Sequence, residues 1–308
     1  MALEHPVRRS KQNTVTLVLS VLAVLLSAYS VLSHSPTSSS VPIRSVSSLD
    51  RAKREHKLRV GYGPFPPYTI INPNEADPNK QASGFCIDMV NEIVARQSPP
   101  WAVEWHKVSW ESLRADMYSG SFDVLANAIY ATIPRASEFR FSEPFTYLGV
   151  GVGVVRRDED RIRTFDDLNK PGITVSLAEG WTATEYARQH LDSSRLLIKP
   201  VGDDLNAQLN DLLTHRADAV LQDVPTALGY KTAHPDSVKL LWLDHPPMRV
   251  AASFITRWED TDMIEFLNTA IRVLQADGTI EVLDRKWKGT GEYPVPTYAP
   301  GMGLRPGR

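Results

Sequence analysis

The chain has 308 residues, 42% of them hydrophobic and 23% charged, with a formal net charge of −2 at pH 7. A chain this long exceeds one average domain and buries a sizeable core without metal or disulfide staples. The near-neutral balance gives no support to nucleic-acid binding, which usually needs a basic face, and a single cysteine, Cys86, excludes an internal disulfide.

Arg8, Arg9 and Lys11 precede an apolar run from Thr14 to about Leu32, after which the chain turns polar at His34-Ser35-Pro36. This is the charged, hydrophobic and exit pattern of an export signal. Residues 1–33 have two readings. Ala28-Tyr29-Ser30 offers signal peptidase a small-x-small triplet, yet a run of about 19 residues also spans a bilayer as a retained helix. No lipobox cysteine is present. The positive-inside rule sends the rest of the chain outward in either case, to the periplasm or the extracellular face of the cytoplasmic membrane. Residues 34–56, rich in Ser and Pro and then charged, read as a linker.

The globular part opens with a strand at Leu58–Tyr62 and a loop, Gly63-Pro64-Phe65-Pro66-Pro67-Tyr68, whose prolines forbid helix and central strand. Ile87, Val90, Ile93 and Val94 recur at helical spacing, and a strand follows near Trp101–Val108. Ser109 is placed to cap a helix with Trp110, Leu113 and Met117 on its apolar face. Phe122–Ile129 reads as a buried strand. This alternation of strand and helix implies a largely parallel, covered sheet. Alternating Gly and Val from Gly149 fits a strand where backbones approach closely or bend. Further strands are expected at Ile173–Val175 and Ala217–Leu221, with helices from Gly180 to about Leu191 and around Leu205–Leu213, and Pro225 in the first turn of a third. Met263, Phe266, Leu267, Ala270, Ile271 and Leu274 mark the clearest helix, ended by Gly278. Thr279 opens a last helix to about Trp287. The expected division is a first lobe over 57–149, a second over 150–250, a return to the first over 251–290, and an irregular tail over 291–308.

No G-x-S-x-G elbow, H-E-x-x-H, P-loop or G-x-G-x-x-G after a strand occurs, and the eight histidines show no ligand spacing. No catalytic residue, cofactor or metal is expected. What remains are polar groups at the C-terminal ends of strands, where open α/β sheets bind ligands. Arg135 follows the strand ending near Ile129, and a guanidinium grips a carboxylate bidentately. Asp223 follows the strand ending at Leu221 and suits an ammonium. Thr182 lies at a helix N-terminus, which favours an anion. Phe65, Tyr68 and Trp110 offer flat faces in loops. Residue types alone leave Arg135 open between this role and that of an ion-paired surface arginine.

Phe65-Pro66-Pro67-Tyr68, Gly84-Phe85-Cys86-Ile87-Asp88-Met89, Trp110-Glu111-Ser112-Leu113, Thr132-Ile133-Pro134-Arg135, Gly180-Trp181-Thr182 and Ala217–Asp223 keep the order of motifs in the family 3 periplasmic solute-binding proteins. Over residues 57–290 the chain resembles that family, and the ligand-binding cores of ionotropic glutamate receptors are similar. The resemblance implies a type II periplasmic-binding-protein fold: two α/β lobes, each with a mostly parallel sheet, joined by two hinge strands. It implies capture of an amino-acid-like ligand for the permease of an ABC importer by a monomer. It casts Phe65 and Trp110 as rings on either face of the ligand and Arg135 as the carboxylate clamp. Thr132 belongs to the clamp segment, Thr182 donates to the same carboxylate, and Asp223 takes the ammonium. Cys86 departs from the usual Asp.

Tyr130 and Trp181 are bulky where relatives carry small or hydroxyl residues, which implies a small or apolar ligand side chain rather than a long basic one. Two rivals share the fold. A cyclohexadienyl dehydratase would need an acid where Thr184 stands, with Glu185 about 100° away on a helix. A membrane-tethered sensor would need a retained N-terminal anchor and a signalling partner.

Overall fold

A computed structural model describes residues 47–77, 80–191, 195–202, 204 and 206–288. The hydrophobic segment within 1–33, Leu205 and the tail over 291–308 lie outside the described residues. Among the described residues no helix is long and apolar enough to cross a membrane.

The first lobe is built on three parallel strands: β1 (Lys57–Tyr62), β4 (Ala102–Lys107) and β5 (Val124–Tyr130). A two-residue pair, β2 (Ile70–Ile71) and β3 (Ala82–Ser83), lies apart from them. Helix Phe85–Ala95 turns Phe85, Ile87, Met89, Val90, Ile93 and Val94 into the core, as its spacing predicts. The second lobe carries β8 (Thr174–Ala178), β9 (Arg195–Lys199) and β10 (Ala219–Asp223), also parallel. Alternating βα units bury both faces of such sheets, so β5 and β10 are buried at every position.

Two long strands join the lobes, β7 (Thr146–Arg156) and β12 (Met248–Arg257). The C-terminal half of β12 pairs with β5 and with β6 (Phe139–Phe141). The C-terminal half of β7 pairs with β10 and with β11 (Val238–Leu241). Between these halves β7 and β12 pair with each other, from Ala252↔Thr146 to Met248↔Val150. The ladder therefore runs unbroken through both lobes in the order β4-β1-β5-β12-β7-β10-β8-β9. The Gly-Val alternation of β7 has a steric cause at Gly153: a Cβ there would lie 2.6 Å from the Trp242 ring, whose indole N–H donates to the Gly151 carbonyl at 2.6 Å.

Three expectations need correction. The segment expected to be a linker through residue 56 contains a helix, Ser48–Glu55, capped by Ser47. Its apolar side is only Leu49 and Ala52, but Arg51 pairs with Asp123 and Ser48 donates to Asp260, both buried carboxylates. Ser109 does not cap the helix after it. Its hydroxyl accepts from the Glu111 amide at 3.2 Å, closing a turn, and the helix runs over Leu113–Tyr118. Phe122 precedes rather than begins β5 and packs against Gly61.

Candidate functional site

The residues singled out in the sequence fall on both sides of the junction between the lobes. Arg135 sits in the short helix Ile133–Ala136, one turn beyond the end of β5. Thr132 caps that helix, its hydroxyl accepting from the Arg135 amide at 3.4 Å, so Thr132 acts on the turn that presents the arginine. The half-buried guanidinium donates through Nη1 to the Tyr130 carbonyl at 3.2 Å and through Nη2 to the Gly180 carbonyl at 2.9 Å. Gly180 belongs to the second lobe, in the turn between β8 and helix Thr182–His190. Desolvation lowers the Arg135 pKa, with Tyr130 and then Glu138 opposing it.

Thr182 opens that helix and is 9% exposed, and its hydroxyl has no hydrogen-bond partner. Trp181, half-buried, occupies the cap position before it. Unpaired buried hydroxyls are uncommon, and this one lies two residues beyond Gly180, whose carbonyl Arg135 reaches.

Asp223 ends β10 and caps helix Val224–Ala233, accepting from the Thr226 amide at 2.9 Å. Burial pushes its carboxyl above the usual range, opposed by Thr226 and by the Tyr130 hydroxyl. Tyr130 lies at the end of β5 in the opposite lobe. Its hydroxyl makes no regular hydrogen bond but faces the Asp223 carboxylate closely enough to be coupled to it. Burial, then the Asp223 charge, hold the phenol far above the tyrosine range, so it stays a neutral donor.

Phe65 stands edge-on to Tyr130 at 6.0 Å and stacks on Tyr68 at 5.4 Å. Tyr68, buried, lies between Phe65 and Phe85 and backs the Phe65 ring. Trp110 lies over Gly63, at the foot of the same loop, where a Cβ would come within 3.2 Å of its ring. The structure thus gathers Phe65, Tyr130 and Asp223 into one group and Arg135 with the Gly180–Thr182 turn into another. Tyr130 belongs to both through its carbonyl and its ring.

Sequence reasoning missed Asn127. It is the one side chain with a strongly polar head group in β5, fully buried, and its amide bonds to both ends of the loop that carries Phe65. The signal was present as an amide inside the apolar run Val124-Leu125-Ala126-Asn127-Ala128-Ile129. The dehydratase rival gains nothing at its key position. The Thr184 hydroxyl is fully buried and donates to the Ala178 carbonyl, while Glu185 is exposed and pairs with Arg188 at 3.0 Å. Among the described residues no group of three metal-ligating side chains occurs.

Two α/β lobes joined by a pair of long strands, with their mostly parallel sheets flanked by helices, are the type II periplasmic-binding-protein fold. The chain belongs to the bacterial extracellular solute-binding proteins, family 3, whose family model matches residues 58–290. It is 25% identical over 241 residues to a "Probable amino-acid ABC transporter-binding protein" of Haemophilus influenzae, covering 78% of this chain and 88% of the relative. It is 26% identical over 242 residues to the L-cystine-binding protein TcyJ of Escherichia coli, covering 78% and 86%. A crystal structure of an ArgBP variant from T. maritima superposes with a TM-score of 0.65 at 28% identity, covering 79% of this chain and 99% of that one. A cyclohexadienyl dehydratase of Pseudomonas aeruginosa is 24% identical over 254 residues, covering 82% and 88%.

Proposed function

We propose that this protein captures a small amino acid between its two lobes on the outer side of the cytoplasmic membrane and presents it to an ABC permease. The observation that carries the reading is a pair of opposite charges set across the lobe junction. Arg135 comes from the first lobe and Asp223 from the second, and burial disfavours the charged form of each. An α-amino acid supplies a carboxylate for one and an ammonium for the other. Closure then desolvates both pairs together, which gives the ligand the differential affinity for the closed state that any ligand-driven closure requires. In this reading Thr182 adds its free hydroxyl to the carboxylate, and Phe65 and Trp110 hold the aliphatic part. Tyr130 and Trp181 limit its size to a small or apolar side chain. The lobes comprise 57–149 with 251–290, and 150–250, and closure bends β7 and β12.

Arg8, Arg9 and Lys11 and the apolar run after them support export of the chain, either free or held by that run. A monomer suffices, because both charges come from one chain. The names of the relatives support an amino acid and an ABC importer. The positions of Thr184 and Glu185 give no support to a dehydratase.

The test is a thermal-shift panel of the twenty common L-amino acids plus prephenate, on protein starting near Val46. A ligand at 100 times its Kd stabilises by about 2.7 kcal/mol, a shift easily seen. A small or apolar amino acid that shifts the wild type but not Arg135→Ala upholds the reading. Strong binding of lysine or arginine overturns the size assignment. No shift with any amino acid overturns the ligand class.

A further inference from the structure

Asn127 is fully buried at the centre of β5, on the strand face that also presents Leu125 and Ile129. Met117, Phe122 and Trp110 pack into the same apolar cluster. An amide in such surroundings costs stability unless it is paired. Its Oδ1 accepts from the Gly63 amide at 3.2 Å and from the Thr69 hydroxyl at 2.9 Å, and its Nδ2 donates to the Gly63 carbonyl at 3.0 Å. The side chain thus satisfies both backbone groups of Gly63, as a neighbouring strand would. It does so just past the point where β1 and β5 stop pairing, at Gly61↔Leu125.

Gly63 and Thr69 are the two ends of the loop that holds Phe65 and Tyr68. Thr69 in turn exchanges both backbone bonds with Phe65, at 2.8 and 2.9 Å. The loop between is stiffened by Pro64, Pro66 and Pro67. With its ends fixed and its middle rigid, the loop has one orientation for the Phe65 ring. Trp110 rests on the same Gly63.

We infer that Asn127 is the positioning residue for the aromatic part of the ligand site: it registers the Phe65 loop, and through Gly63 the Trp110 ring, against the strand that leads to Tyr130 and Arg135. The inference rests on the ligand cleft proposed above. Asn127 touches no ligand in this account and acts through Phe65.

A double-mutant cycle tests it, with affinity for the amino acid that gives the largest thermal shift measured by calorimetry. Asn127→Ser is expected to weaken binding about tenfold in the wild-type background and less than about twofold in a Phe65→Ala background, because the ring it positions is gone. An equal loss in both backgrounds, or no loss in either, overturns the inference. If Asn127→Ser does not fold, Thr69→Val removes one arm of the same network and carries the same two expectations. Amide hydrogen exchange at Gly63 and Thr69 gives a ligand-independent readout. Faster exchange in the folded variant supports the pin, and unchanged exchange overturns it. If wild type binds no amino acid, the proposed ligand class fails, while the exchange result still decides whether Asn127 fixes the loop.

Discussion

Arg135 bridges the two lobes with one planar group: Nη1 reaches the Tyr130 carbonyl at 3.2 Å and Nη2 the Gly180 carbonyl at 2.9 Å. The first contact fixes the side chain on its own lobe. The second directs it at the turn before Thr182, whose hydroxyl is unpaired. A carboxylate bound at this junction meets a guanidinium already aimed, and little side-chain entropy is lost in forming the pair.

Replacing Arg135 by Ala is therefore expected to weaken amino-acid binding about 100-fold or more, from loss of charge-assisted bonds of about 1.5–3 kcal/mol each. Arg135→Lys keeps the charge but not the fork and is expected to recover only part of the affinity. Calorimetric titration of both variants checks this. Affinity of the lysine variant equal to wild type would show that the fork is unimportant.

Asp223→Asn separates binding from folding. Asn serves as a helix cap about as well as Asp, so the Thr226 contact survives. The folded-state pKa of Asp223 is raised by burial. Its contribution to stability is therefore fully present below the unfolded carboxylate pKa and is lost as pH rises through the folded value. At neutral pH the ligand-free variant is expected to melt higher than wild type while losing the ligand-induced shift. Melting curves from pH 4 to pH 8 test both halves, since the difference between the two proteins must grow as pH rises.

The helix Ser48–Glu55 belongs to the folded unit. Arg51→Ala leaves Asp123, 1% exposed on its side chain, with Arg257 at 3.7 Å as its remaining cationic partner. Breaking a buried pair from one side costs about 3–5 kcal/mol. Arg51 is itself partly exposed and Arg257 remains, so about 2–3 kcal/mol is expected in urea unfolding. A protein starting at Lys57 is expected to lose at least as much relative to one starting at Val46. Equal stability of the two would return the segment to the role of a linker.

Gly153→Ala drives a methyl group against Trp242 in the strand that joins the lobes. Overpacking of this kind costs about 1–3 kcal/mol. The loss is expected in the melting temperature, with ligand affinity changed less than in Arg135→Ala.

Much of the fold was legible because its elements carry local patterns. Helix Thr261–Ala276 buries Met263, Leu267, Ile271 and Leu274 of the stripe its spacing announces, leaves Phe266 and Ala270 half-buried, and adds Ile264. β5 and β10 read as apolar runs because both faces of a parallel sheet are covered. Helix Ser48–Glu55 was hidden because its apolar side is two residues wide; a short charged helix looks like a charged loop until its partners are known. The role of Ser109 was hidden because the same hydroxyl that could cap a helix can also close a turn, and it accepts from the Glu111 amide before helix Leu113–Tyr118 begins.

The site divides in the same way. That Arg135 lies beyond the end of one strand and Asp223 at the end of another, and that their types suit a carboxylate and an ammonium, is written in the sequence, as is the order of motifs that places the chain in its family. That Arg135 meets Gly180 across 45 positions of sequence, that Tyr130 faces Asp223, and that Asn127 grips Gly63 and Thr69 was decided by tertiary structure alone. Periodicity reports which face of an element is buried. It does not report which distant element covers that face: the Arg135 and Tyr130 contacts cross between the lobes that β7 and β12 join, and the Asn127 contacts tie a loop to a strand within the first lobe.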